Sequence, residues 1–179
     1  RNNIEAVIAA NDVLGGNFLS RINMDLREAK GWSYGVRGSA QVSEKAVPYV
    51  IFAPVQADRT ADSIKALNAQ IGGFLGTKGV TDEELGRTIA NRVNALPGQF
   101  ETSSAVLSAM MSNDLYGRPL NYQETLAAKY RGYDAAALDA AIRGTVDPNG
   151  FVWVVVGDAT TVKPQLDKLG LPVEVIEAR

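Results

Sequence analysis

Two side chains in the sequence, Arg27 and Tyr34, are of types that can recognise a carbonyl group, and they stand seven positions apart. An arginine presents its N–H donors in a fixed plane and stays charged, so it can hold a carbonyl or a carboxylate. A tyrosine hydroxyl can donate to a carbonyl oxygen that becomes an oxyanion during a reaction. Gly31 lies between the two residues and permits a sharp turn, which would let both side chains point to one place.

Ordinary structural roles are the alternative for the same two residues. Arg27 could pair at the surface with a neighbouring carboxylate such as Asp25 or Glu28. Tyr34 could be a common strand aromatic that packs on its neighbours. The residue types alone therefore leave both interpretations open.

Composition excludes several other kinds of chemistry. The 179 residues include no histidine and no cysteine, which excludes Ser–His and Cys–His catalysis within the chain and removes the usual zinc ligands. The carboxylates show no cluster or calcium-loop spacing, so we assign no catalytic residue and no metal ligand. A net charge of −2 argues against a nucleic-acid binder. No apolar run approaches the ~20 residues that a membrane-spanning helix needs.

A long amphipathic helix is predicted over residues 3–29. Apolar residues recur there at three- and four-residue steps, at Ile4, Val7, Ile8, Val13, Leu14, Phe18, Ile22 and Leu26. Gly15 and Gly16 interrupt the pattern at about 1 kcal/mol each relative to alanine, which indicates a kink, a break or a close backbone approach. Lys30 and Gly31 are typical of a helix end.

The rest of the sequence predicts an α+β fold. Residues 32–57 predict an antiparallel pair of strands with a turn at residues 43–45, and Pro54 places the end of the second strand near it. Two further strands and six further helices follow: strands over 151–156 (buried) and 173–176, and helices over 60–75, from 81, over 102–116, 122–130, 134–145 and 161–169. We interpret residues 1–179 as a single domain with helices packed on a mostly antiparallel sheet in two layers.

Adjacent carboxylates at Glu83 and Glu84 have a structural explanation. Thr81 and Glu84 have the spacing of a capping box, and acidic side chains in a first helical turn are stabilised by the helix dipole. We therefore predict a helix start here and no acid–base catalysis.

The segment over residues 11–36 resembles a known family. Its Leu-Gly-Gly step at residues 14–16 and its Leu-Arg-Glu-x-x-Gly-x-x-Tyr pattern at residues 26–34 resemble the C-terminal, non-zinc-binding half of the insulinase/pitrilysin zinc peptidases, the mitochondrial-processing-peptidase-like fold. The resemblance continues through residues 115–122, 151–158 and 169–173 and so covers nearly the whole chain. Each piece alone is weak, but the combined order is specific.

This resemblance implies a division of labour between two halves of a peptidase. In the family, one half carries the inverted zinc motif His-x-x-Glu-His, and the other supplies an arginine and a tyrosine that reach the bound peptide. Arg27 and Tyr34 match those two positions, so the resemblance implies that they bind substrate. It also implies that zinc lies on a catalytic partner half or subunit, and that this chain alone has no peptidase activity.

A catalytically inactive structural or assembly protein on the same fold is the alternative function. Family halves usually begin with a strand before the long helix, whereas the helix predicted here starts almost at the first residue. We therefore expect a missing first strand, and an exposed sheet edge that another copy or a partner segment covers. The alanine- and glycine-rich composition is typical of a bacterial protein and does not distinguish periplasm from cytoplasm.

Overall fold

The computed structural model describes residues 3–177, and helices make up most of this part of the chain. Its α-helices are α1 (Ile4–Asn11), α2 (Arg21–Asn23), α3 (Thr60–Leu75), α4 (Asp82–Ala95), α5 (Ser103–Leu115), α6 (Tyr122–Arg131), α7 (Ala135–Arg143) and α8 (Ala159–Leu166). Short 3₁₀ turns lie at Ala57–Arg59, Pro97–Phe100 and Asp167–Leu169. None of the helices described here has the length and apolar character to cross a bilayer.

The predicted first helix is broken into two parts. After α1 the chain forms a π-helical turn at Asp12–Gly16 and leaves helical geometry at Asn17, whose φ of −143° and ψ of 179° are extended. Helix resumes as α2 and ends in a second π-helical turn at Met24–Ala29. The interruption expected at the two glycines is therefore confirmed. Phe18, which we expected on the buried face, is instead 54% exposed in the break.

Gly15 also provides the close backbone approach that we gave as one of its possible roles. A Cβ at this position would lie 2.9 Å from the backbone nitrogen of Gly38 and 2.6 Å from Cδ1 of Ile22. Both distances are too short for real carbon contacts, so only glycine lets the end of the first helix meet the following hairpin.

The hairpin is the predicted antiparallel pair, shifted along the sequence. β1 (Arg37–Ala40) pairs with β2 (Tyr49–Phe52), with Arg37 opposite Phe52 and Ala40 opposite Tyr49. One further bridge, Ser33 with Val55, lies closer to the helix end. The turn between the strands is closed by a hydrogen bond from the Ser43 N–H to the Ala46 carbonyl, and β2 ends before Pro54 as expected.

The core forms around α1, which is buried along most of its length and packs against α7. The largest fully buried side chains come from the first helical region, from α3 and from α7: Leu14, Ile22, Leu26, Ile71, Phe74, Leu138 and Ile142. Helix α5 contributes little to this core, because its buried residue is the polar Asn113. Met110 and Met111 are 50% and 64% exposed on α5.

Two predicted strands are wrong. Residues 151–156 and 173–176 form no β-ladder with any other described residue, and Val152, Val154 and Val156 are 85%, 84% and 95% exposed instead of buried. A strand needs a neighbour to pair its backbone groups, and the two-stranded sheet of residues 3–177 does not reach these segments. The α+β class with antiparallel pairing is confirmed, but the sheet seen here is smaller than expected.

Candidate functional site

Arg27 lies in the π-helical turn that ends the first helical region. The turn is closed by hydrogen bonds from the Lys30 N–H to the Asp25 carbonyl at 3.0 Å and from the Gly31 N–H to the Arg27 carbonyl at 3.1 Å. Gly31 then takes a positive φ of 64°, which side-chain-bearing residues rarely adopt. Leu26, next to Arg27, is fully buried and anchors the turn to the core, so the position of the Arg27 backbone is well determined.

The Arg27 side chain is held by two weak contacts. Its guanidinium carbon lies 4.4 Å from the centre of the Phe18 ring, and its Nε lies 3.2 Å from Oε1 of Glu28. Both are surface interactions, since the Arg27 and Glu28 side chains are 36% and 45% exposed, and each contributes about 1 kcal/mol or less. The surface pair with Glu28 therefore exists, but it is too weak to exclude a second partner for the guanidinium.

Tyr34 likewise has a fixed backbone, and its side chain is more exposed than that of Arg27. The Ser33 hydroxyl donates to the Pro54 carbonyl at 2.6 Å and accepts the Gly35 N–H at 3.1 Å. The Tyr34 side chain is 96% exposed. An exposed aromatic on a well-ordered turn presents a large contact surface and a hydroxyl to whatever approaches this face.

Asn23 links the two sides of the site. Its side-chain N–H donates to the Phe18 carbonyl at 2.7 Å, and its Oδ1 accepts the Val36 N–H at 2.9 Å. Asn23 is 3% exposed, and a buried amide with both ends bonded fixes the segments that it joins. The break that carries Phe18 and the strand start that follows Tyr34 are therefore held in one relative position.

In the structure Arg27 precedes and Tyr34 follows the turn at Gly31. Across residues 3–177, no hydrogen bond or ring contact joins their side chains. A common ligand would therefore have to bridge them. Sequence reasoning missed Phe18 and Asn23, because their roles depend on contacts with other segments. The one available signal was the position of Phe18 two residues after Gly16.

A buried ion pair fixes the helix behind the site. Both carboxylate oxygens of Asp12 accept hydrogen bonds from Arg92 on α4, at 2.5 and 2.6 Å, and Asp12 is 8% exposed. Burial lowers the pKa of Arg92, but the hydrogen bonds and the charge of Asp12 outweigh this effect and raise it overall. The Arg92 guanidinium therefore stays charged, and the pair ties the π-helical turn at Asp12–Gly16 to α4.

A second polar link joins α1 to the hairpin. The Asn11 side-chain N–H donates to the Gly38 carbonyl at 2.8 Å, while its Oδ1 accepts the Tyr49 hydroxyl at 2.7 Å. Burial raises the pKa of Tyr49 well above its ordinary value, so the hydroxyl remains a donor. The hairpin is thus fixed to the same helix that leads to Arg27.

The described residues contain no group of three or more Asp or Glu side chains that could hold a metal ion. The full sequence has no histidine or cysteine.

Comparison with known proteins places this arrangement in a family. The family model described as the peptidase M16 inactive domain matches residues 3–92, which is half of the chain and includes the whole helix–hairpin region. A search of curated proteins found no match.

Solved structures share the fold at low sequence identity. A peptidase M16 inactive domain from Pseudomonas fluorescens is 20% identical with a TM-score of 0.76, and the match covers 83% of this chain and 35% of that chain. A candidate zinc protease from Bordetella pertussis is 18% identical with a TM-score of 0.65 and coverage of 80% and 79%. A protease from Helicobacter pylori is 17% identical with a TM-score of 0.64 and coverage of 80% and 34%.

This chain spans about a third of the length of the Pseudomonas chain. The structural matches support the fold, and the family match supports the resemblance found in the sequence to the C-terminal, non-zinc-binding half of these peptidases. The chain belongs to the peptidase M16 inactive-domain family.

Proposed function

We propose that this chain is the substrate-binding, non-catalytic domain of a zinc metalloendopeptidase, and that Arg27 and Tyr34 bind the peptide. The observation that carries the proposal is the exposure of Tyr34, at 96%, on a turn whose backbone is fixed on both sides. Arg27 lies on the other side of that turn and is held by weak surface contacts. Both residues fall within the part of the chain that matches the family.

Each side chain has a defined task in this proposal. The Arg27 guanidinium leaves its surface pair with Glu28 and donates to a peptide carbonyl or carboxylate, which charge-assisted hydrogen bonding favours. The Tyr34 hydroxyl donates to the carbonyl oxygen that becomes negatively charged during hydrolysis. A catalytic half or subunit would hold the zinc and the attacking water, since the described residues include no group of three side chains that could hold a metal ion.

We further propose that residues 1–179 act as one domain. Support comes from contacts between distant parts of the described chain: α1 packs against α7, and Lys129 donates to the buried Glu5 at 2.7 Å. The helix–hairpin region, which carries the site, therefore shares one core with the later helices of the chain.

The test measures kcat/KM of this chain combined with a catalytic partner that carries His-x-x-Glu-His and is encoded upstream or in a neighbouring gene. Tyr34→Phe should lower kcat/KM by about a hundredfold, because it removes the donor to the reacting oxygen. Arg27→Lys should also lower it, because an ammonium lacks the planar set of donors of a guanidinium. Tyr133→Phe and Arg131→Lys are the matched controls and should leave it unchanged. An active complex that keeps full activity with both site variants would contradict the proposal.

The isolated chain provides a second test. It should bind no stoichiometric zinc in elemental analysis and should cleave no peptide. One zinc per chain would contradict the proposed division between the two halves.

An assembly role without peptide binding is the second candidate, and the apolar surface of α5 favours it. Leu107, Met111 and Leu115 are 58%, 64% and 56% exposed there, which is more apolar surface than an isolated helix face usually leaves in water. Two results together would support this alternative. Substitution of Arg27 and Tyr34 would leave the activity of a stable complex unchanged, and Met111→Lys would make the complex dissociate.

A further inference from the structure

The contact between Phe18 and Arg27 depends on the break in the first helical region. The two residues are nine positions apart, so in an unbroken α-helix they would lie about 13.5 Å apart along the axis and on opposite sides. In the structure the Arg27 guanidinium carbon is 4.4 Å from the centre of the Phe18 ring. The extended backbone at Asn17 therefore brings an aromatic ring to an arginine that a continuous helix would keep away from it.

Hydrogen bonds on both sides of Phe18 fix its backbone. The Asn17 side-chain N–H donates to the Asp12 carbonyl at 2.9 Å, and its Oδ1 accepts the Leu19 N–H at 2.9 Å. The Ser20 hydroxyl donates to the Asn17 carbonyl at 2.6 Å, and Ser20 is fully buried. The Phe18 ring is therefore carried by an ordered turn, although Phe18 is 54% exposed.

The two contacts of the Arg27 guanidinium have different effects on its hydrogen-bond donors. Glu28 places a carboxylate oxygen 3.2 Å from Nε, so a peptide carbonyl would have to compete with it on that side. The Phe18 ring attracts the positive charge through its face, so it does not use the N–H donors that a carbonyl needs. The guanidinium can therefore bind a carbonyl or a carboxylate while it stays on Phe18, whereas its pair with Glu28 has to open.

We propose that Phe18 is a positioning residue, which holds the Arg27 guanidinium ready for the peptide group that it binds. This inference rests on the proposed function. An arginine side chain loses rotamer freedom when it binds, and a group that is already ordered loses less. A cation–ring contact at an exposed site changes an equilibrium constant by about two- to fivefold. Phe18 should therefore affect KM and leave kcat unchanged.

NMR of the chain alone tests whether the contact exists in solution. The ring current of Phe18 should shift the signals of the Arg27 side-chain protons next to the guanidinium upfield. Phe18→Leu should abolish this shift, and Phe18→Tyr should keep it because the ring remains. Glu28→Gln should also keep it, because the ring contact does not depend on the carboxylate.

Kinetics of the chain combined with its catalytic partner test the effect on binding. Phe18→Leu should raise KM by about two- to fivefold with kcat unchanged, and Phe18→Tyr, the matched control, should keep the parent KM. In the Arg27→Gln background Phe18→Leu should have no further effect, because the ring then has no cation to hold. Sedimentation shows whether each variant still forms the complex, and circular dichroism shows whether it is folded.

Three results would overturn the inference. One is an Arg27 signal or a KM that Phe18→Leu leaves as it is, and another is an equal rise of KM with and without the Arg27 guanidinium. The third is loss of the complex with Phe18→Leu, which would assign Phe18 to the contact with the catalytic half. Failure of the proposed function is distinguishable, because Arg27→Gln and Tyr34→Phe would then themselves leave kcat/KM unchanged.

Discussion

The helix–hairpin region, residues 4–55, and the late segment, residues 151–176, differ in how they are held. In the first, the buried side chains of Asn11, Asp12 and Asn23 form hydrogen bonds with residues that are distant in sequence. Their partners are Gly38, Arg92 and Val36, respectively. In the second, Val152 and Val156 are 85% and 95% exposed and have no strand beside them in the described chain. Buried polar bonds specify one arrangement, whereas exposed apolar residues leave a surface open to a partner. The candidate peptide-binding pair belongs to the first kind of region, and residues 153–156 belong to the second.

The largest effect should come from breaking the Asp12–Arg92 pair. Arg92→Met leaves the buried Asp12 carboxylate without its partner and should lower the free energy of unfolding by about 3 kcal/mol. Arg87→Met on the same helix is the control, because Arg87 pairs at 3.9 Å with Glu83, which is 90% exposed; it should cost less than about 0.5 kcal/mol. Equal effects of the two substitutions in urea unfolding would show that the pair does not fix the helix.

A smaller loss should follow from filling the contact between the first helical region and β1. Gly15→Ala would place a carbon 2.9 Å from the Gly38 backbone nitrogen, and such overpacking costs about 1–3 kcal/mol. Gly86→Ala in α4 meets no atom within 4 Å and should stabilise the chain by about 0.5–1 kcal/mol through helix propensity. Thermal unfolding of both variants measures the difference, and a stable Gly15→Ala chain would mean that the close approach is not required.

The Arg21–Glu84 pair should give a pH-dependent contribution that is smaller still. Burial raises the pKa of Glu84, but hydrogen bonds from Arg21 and Thr81 outweigh it and lower the pKa in the folded chain. The unfolded chain therefore binds this proton more readily. The stabilisation is fully present above the ordinary glutamate range, about pH 4.3, and is lost as pH falls through the lower folded pKa.

Unfolding free energies measured from pH 6 down to pH 2 test this dependence. Glu84→Gln should flatten the curve in the acid range. Glu83→Gln, at the exposed neighbouring position, should leave it as it is. Parallel curves for the parent chain and Glu84→Gln would refute the assignment.

The smallest effect is expected in the late segment. Val154→Thr changes a side chain that is 84% exposed, so it should alter the free energy of unfolding by less than about 0.5 kcal/mol. A loss above about 1.5 kcal/mol would mean that Val154 is buried in solution and that the two regions are held alike.

Local features of this fold could be read from the sequence. Helix α3 was predicted with the bounds that the structure shows, Thr60–Leu75. The capping box at Thr81 and Glu84 is confirmed with both of its hydrogen bonds. These features depend on neighbours within a few residues, and the sequence displays such neighbours directly.

Features that depend on distant partners were not predictable. The β-type residues at 151–156 indicate a strand, but no pattern shows whether another strand lies beside them. Periodicity likewise assigned Phe18 to the core, although the break after Gly16 turns it outward toward Arg27. For the candidate site, the sequence indicated Arg27 and Tyr34 but not Asn23, whose bonds reach five and thirteen positions along the chain.

The π-helical turn at Met24–Ala29 sets how this segment tolerates insertions and deletions. Such a turn holds one residue more than an α-helical turn, with bonds that span five residues instead of four. Deleting one residue here would let the turn rewind as an α-helix, and each residue of an α-helix rotates the side-chain direction by about 100°. Leu26 would then turn away from the core, and Arg27 would turn away from its present direction toward solvent. We expect chain length in this turn to be under stricter selection than the identity of its exposed residues.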